Sequence, residues 1–229
     1  MDLVQISKKN SKGTAKERIC RDVDKGEHKE ANSPFDPPDA YMPGGDDQAV
    51  AYDLMHPLLQ GLRDEHVECL AELTVFEESL EKLEQSLAEE SETAFSDAGF
   101  ARFFDYMNLE MVEHNRCEEK TLFPLLAQRL VESGEHSQGP KALTAVDVLE
   151  AEHLNFQQLM AVAFNFFELA KRLPDPAGRR FVRKTAIEQG KVLAKQLRLH
   201  IFREDTVYFS LAHNLISTAE FDTLVEKQG

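Results

Sequence analysis

The chain is 229 residues long, carries a formal net charge of −15, and is 29% charged and 42% hydrophobic. That length holds one good core, or one core with an appendage, and the composition is that of an ordinary globular protein. So acidic a chain lacks the positive face that nonspecific nucleic-acid binding and anionic membranes require, so neither partner is expected.

Residues 1–50 differ from the rest. They mix charges of both signs with few large apolar side chains and end in the turn-forming run SPFDPPDAYMPGGDD. This composition reads as a mostly irregular N-terminal tail, disordered or loosely docked: either an unimportant leader or a segment wrapped on the bundle, and one able to take a protein partner. Its opening residues hold no apolar stretch suited to a signal peptide, and no run of about 18 apolar residues follows anywhere. The cysteines, Cys20, Cys69 and Cys117, are odd in number and have no paired spacing. Without a disulfide framework, a reducing, cytoplasmic location is the expectation.

From Pro57 the pattern becomes helical, so 51–229 is read as one domain. Residues 57–89 place Leu58, Leu62, Leu70, Leu73, Leu80, Leu83 and Leu87 at helical intervals, and Pro57 suits a first turn. A second run, 97–132, carries Phe100, Phe103, Phe104, Met107, Met111, Leu122 and Leu126, with a kink or early break expected at Pro124. SGEHSQGP, residues 133–140, breaks the pattern. A third run covers 142–173, the turn PDPAG follows at 174–178, and a fourth run covers 179–213. A short terminal helix is expected over 217–227. Four long helices with short connections predict an all-α fold, an antiparallel up-down-up-down four-helix bundle, each helix roughly 45 Å long.

The histidines reveal an internal repeat. LRDEH ends at His66 on the first helix and LEAEH ends at His153 on the third. HNRCEEKTLFPLL begins at His114 on the second, and HIFREDTVYFSLA begins at His200 on the fourth. The separations are 48 residues from His66 to His114 and 47 from His153 to His200, and each later histidine has a glutamate four residues on, Glu118 and Glu204. Residues four apart share a helix face. A single His-x-x-x-Glu match arises readily by chance, but one histidine per helix at equal spacing does not. Four imidazoles and two carboxylates are costly to bury without partners, and a metal satisfies them directly. Nitrogen and oxygen ligands suit iron, manganese or zinc, and two carboxylates able to bridge favour a pair of ions.

The segments LRDEH, EHNRCEEKTLFPLL, EAEHLNFQQL and LHIFREDTVYF, spread over about 57–213, resemble the hemerythrin-like, or HHE cation-binding, family. The resemblance implies a four-helix bundle around a non-haem centre of two iron ions, bridged by carboxylates and an oxo or hydroxo group. It matches His66 and His153 to the single-histidine positions, and His114 with Glu118 and His200 with Glu204 to the two His–carboxylate positions. Oxygen-carrying members have a second histidine on the third helix, where this chain has Gln157, and an aspartate five residues after the last histidine, where it has Asp205. The repeat aligns Glu204 with Glu118 and Asp205 with Glu119, so Glu204 is the preferred ligand and Asp205 its competitor.

With two histidines per ion, a position remains open for a small molecule. The set resembles that of di-iron proteins proposed to repair iron–sulfur centres, although the Cys-Cys module often found in those proteins is replaced here by Cys20 alone. Three roles follow: a protein binding or reacting with O2, NO or peroxide as sensor, scavenger or redox protein; an iron donor or repair protein; and an interaction module that the metal only stabilises. Gln157 sits one turn from His153 and can donate to a bound ligand, and Tyr208 sits one turn from Glu204. Cys69 and Cys117 are expected as core thiols. His56 is too far from His66 to share its site, and His28, His136 and His213 read as solvated. The run AFNFFEL, residues 163–169, reads as core or an oligomer face.

Overall fold

A computed structural model describes residues 49–89 and 98–226, and within them every regular element is helical. Most of the tail, with Cys20 and His28, lies outside the described residues. A single 3-10 turn, Tyr52–Leu54, leads into α1 (Pro57–Ala88). His56 is the N-cap of α1: its Nδ1 accepts from the Leu58 N–H, and its ring stacks on Phe221 at 4.8 Å. Pro57 occupies the first turn, as its missing N–H allows.

The second run is not one uninterrupted α-helix. α2 (Ala98–Cys117) passes into a π-helical turn, Glu118–Leu122, and then into α3 (Phe123–Ser133). The Phe123 N–H bonds back to the Glu118 carbonyl, five residues earlier. The expected effect of Pro124 is thus a widened turn and not a break: proline has no N–H for the Lys120 carbonyl, and a wider turn spares its ring a clash there. Gly134, at φ 87°, ends α3 in the left-handed conformation that glycine adopts without a Cβ penalty.

α4 (Ala145–Arg172) starts at a capping box in which Thr144 and Asp147 satisfy each other's backbone N–H groups. α5 (Pro176–Arg203) starts within the expected turn, because Asp175 caps it by accepting from the Gly178 N–H at 2.6 Å. A second π-helical turn, Glu204–Tyr208, joins α5 to α6 (Phe209–Leu215), and α7 (Thr218–Glu226) closes the described chain. Here Ser210 stands where the first half has Pro124. Its hydroxyl donates to the Thr206 carbonyl at 3.1 Å and accepts from the Val50 N–H at 3.0 Å.

The helices pack into a bundle around two apolar clusters. One gathers Leu73, Phe76, Leu80, Phe103, Phe156 and Leu197 with their neighbours. The other gathers Leu59, Leu62, Leu126, Leu149, Phe209 and Phe221 with theirs. α1 meets α5 closely at Gly190, where an added Cβ would lie 2.9 Å from the Leu80 side chain and 3.2 Å from Phe76. Cross-helix partners run in opposite senses: Glu77 with Arg198 and Glu84 with Lys191 between α1 and α5, and Glu152 with Arg203 and Asn155 with Gln196 between α4 and α5. The aromatic run of α4 is mixed, with Ala163 and Phe167 buried and Phe164 and Leu169 exposed.

Candidate metal centre

The polar layer lies where the two apolar clusters meet. On α1, His66 falls between Leu62 of one cluster and Cys69 of the other. On α4, His153 falls between Leu149 and Phe156. His114 and Glu118 separate Met111 from Leu122, and Glu204 separates Ile201 from Tyr208. Helical periodicity makes this unavoidable, because each polar residue continues the inward stripe of its helix. All six candidate residues are buried, with Glu118, Glu204 and His66 fully so.

The imidazoles come in two pairs. Nε2 of His66 lies 3.0 Å from Nε2 of His114, and Nε2 of His153 lies 3.1 Å from Nε2 of His200. The carboxylates span the pairs. Glu204 approaches His66 at 3.2 Å through Oε2 and His200 at 3.1 Å through Oε1. Glu118 approaches His114 at 3.6 Å and His153 at 3.5 Å through Oε2. His66, His114, Glu118 and Glu204 offer donor atoms all within 4.8 Å of one another, as do His153, His200 and Glu204.

Each outward ring nitrogen is held by a carboxylate. His66 Nδ1 meets Asp205 at 2.8 Å, His114 Nδ1 meets Glu65 at 2.6 Å, His153 Nδ1 meets Glu119 at 2.9 Å, and His200 Nδ1 meets Glu152 at 2.8 Å. An ionised carboxylate only accepts, so each Nδ1 must carry the proton and donate it. That leaves every Nε2 aimed inward as the atom available to a cation. Arg203 in turn bonds Glu152 at 2.6 Å. The role of these four carboxylates escaped the reading of the sequence, which named Asp205 as a competing ligand and Glu119 only as its counterpart in the repeat. The signal was present in the glutamate preceding each lone histidine and the second acid following each ligand-position glutamate. Asp205 is one of the four: it faces the outer nitrogen of His66, while Glu204 faces the interior.

The electrostatics describe a site short of positive charge. Burial opposes a proton on His66, but the Asp205 and Glu204 carboxylates outweigh it and push the imidazole up to about 10. Burial likewise opposes His200, which Glu204 and Glu152 raise to about 9. Burial lowers His114, and burial with the neighbouring His200 charge lowers His153. Burial and the Glu204 charge hold Glu118 well above the usual carboxylate range. Burial pushes Glu204 the same way, yet His200 and His66 prevail and hold it well below that range. Protons therefore supply the charge balance in the metal-free chain.

The donor set fits a cation. All four oxygens of Glu118 and Glu204 are buried without a hydrogen-bond partner, although imidazole nitrogens stand close by. An orphaned buried carboxylate costs several kcal/mol unless a cation pairs with it. At 3.0 and 3.1 Å apart, the two Nε2 atoms of each pair are near enough to reach one ion together.

Other residues of interest fall outside this layer. Burial pushes the Cys69 thiol up to about 12, so it stays protonated, and Cys117 packs half-buried against the second cluster. Tyr208 is buried in that same cluster. Gln157 is exposed and lines the rim of a cleft that reaches His153 and His200. His56 lies near Asp222, and His136 and His213 are half-buried.

The family model of the hemerythrin HHE cation-binding domain matches residues 58–212. No curated protein and no solved structure matches the chain. No helix among the described residues is long and apolar enough to cross a membrane.

Proposed function

Because the chain belongs to the hemerythrin HHE cation-binding domain family, we propose that His66, His114, Glu118, His153, His200 and Glu204 hold two metal ions, iron in preference to manganese or zinc. The loaded centre binds or reacts with a small molecule such as O2, NO or peroxide, as a sensor, scavenger or redox protein. The observation that carries this reading is the set of four fully buried carboxylate oxygens that accept no hydrogen bond and face two imidazole pairs.

The chain's own residues divide the work. His66 with His114, and His153 with His200, would each hold one ion through two inward nitrogens. Glu204, with one oxygen toward each pair, and Glu118, within reach of both, would supply the carboxylate oxygens that hold them. Asp205, Glu65, Glu119 and Glu152 fix the rings and make them better donors. Phe209 stacks on His66 and Phe123 on His153, so water is kept from that side of the layer. When bound, iron would supply Lewis acidity and one-electron redox chemistry at a position that two histidines per ion leave open.

We read the four long helices as an up-down-up-down bundle, a topology supported by the opposed sense of their cross-helix partners. Residues 51–229 form its domain and residues 1–50 a tail able to take a protein partner. A cytoplasmic location rests on the cysteine pattern.

Anaerobically reduced, iron-loaded protein tests the reading. Its absorption is expected to change on exposure to O2, NO or peroxide, and His114→Ala and His200→Ala to remove both the metal and the change. An unchanged spectrum with iron passing to an apo-acceptor would instead favour the donor or repair role. Metal retained by both variants would defeat the site assignment.

A further inference from the structure

A cleft of about 20 Å3 runs from the surface to one side of the polar layer, enough for about one water-sized molecule. Its floor includes His153 and His200, and its walls carry Met107, Met111 and Met160. Gln157 and Val112, both exposed, stand at its rim. Three of the four methionines among the described residues thus converge on one opening. The fourth, Met55, is as deeply buried as Met107 and Met111, at 3% exposure against 4%, but it belongs to the other cluster.

Methionine in a core is ordinarily a flexible filler of irregular gaps. Access sets these three apart. Thioether oxidation depends on whether an oxidant can reach sulfur, and hydrogen peroxide is among the smallest oxidants able to enter so narrow an opening.

We propose that Met107, Met111 and Met160 form a methionine oxidation site, at which hydrogen peroxide entering the cleft is reduced at sulfur before it reaches His153 and His200. A sulfur lone pair attacks one peroxide oxygen, and the O–O bond breaks. The thioether loses two electrons and becomes a sulfoxide. The second oxygen leaves as hydroxide, takes the proton from the transferred oxygen, and departs as water. The new S–O group is polar and occupies space the cleft does not have to spare, so oxidation narrows the route to the imidazoles. The change is reversible by the class of enzymes that reduce methionine sulfoxide. None of this needs a metal, so it stands or falls apart from the function proposed above.

The test uses the full chain stripped of metal by a chelator, treated with dilute hydrogen peroxide and followed by peptide mass spectrometry. Met107, Met111 and Met160 are expected to gain one oxygen several-fold faster than Met55. Gln157→Trp places a large side chain over the rim, and Val112→Trp plugs it from α2. Either variant, folded by circular dichroism, is expected to slow Met107 and Met111 to the rate of Met55. Oxidation of Met55 as fast as the three, or rates unchanged in both plugged variants, would overturn the proposal.

Discussion

Four imidazoles present the same nitrogen to the same place because four carboxylates hold the other one. Glu65 reaches from α1 to His114 on α2, and Glu152 reaches from α4 to His200 on α5. Each precedes the lone histidine of its own helix, so adjacent residues serve neighbouring helices. Glu65 is the informative one to remove, because its side chain is 53% exposed and carries no core packing. Glu65→Ala is expected to leave the fold intact while weakening metal binding by about 10–100-fold, measured by competition with a chelator. Glu118 should behave in the opposite way. Its buried oxygens accept no hydrogen bond, so Glu118→Leu is expected to stabilise the metal-free chain by about 1–3 kcal/mol in urea unfolding while abolishing full metal loading. The six inward residues were legible in the sequence because their spacing is a property of single helices. The outer carboxylates were not, because their partners depend on the register between helices, and a lone Glu65 or Glu152 looks like any solvated charge.

At the scale of elements, the apolar periodicity located every long helix, and the caps account for the discrepancies at their ends. Asp175 and Pro176 drew the start of α5 into a segment that its proline and glycine content marked as turn. The two π-helical turns were not legible. Both begin at the glutamate of a His-x-x-x-Glu pair, yet only one half carries a proline to signal it. In the other, Ser210 meets the Thr206 carbonyl with its hydroxyl. Each turn inserts a residue, which lets Glu118 and Leu122, or Glu204 and Tyr208, all face inward before the stripe resumes. The contact of α1 with α5 makes a separate prediction. Gly190 has no space for branching against Leu80 and Phe76, so Gly190→Val is expected to cost about 1–3 kcal/mol in denaturant unfolding.

At the scale of the whole molecule, a polar layer divides one bundle into two apolar halves, and the fold tolerates that division because helix and hydrogen-bond geometry satisfy all but the inward atoms. The C-terminal α7 closes the second half over His56 through Phe221. Glu220 secures it, with hydrogen bonds from Ser217 and the Arg129 guanidinium holding its carboxyl at about 2, against an ordinary 4.5. A depressed folded value means the contribution is present above about 4.5 and is lost as pH falls toward 2. Acid is therefore expected to loosen α7, seen as a Glu220 carboxyl titrating near 2 by NMR and as earlier loss of the Phe221 and His56 ring signals. The helical class was legible from the apolar periodicity and the family from the ordered histidines, whereas the identity of the ion and of its ligand belongs to chemistry that several related roles share. Metal analysis of freshly purified protein tests the central claim most directly. Two ions per chain are predicted, falling further in Glu204→Ala than in Asp205→Ala; a chain that holds no iron, manganese or zinc, or the same content in Glu204→Ala, would contradict it.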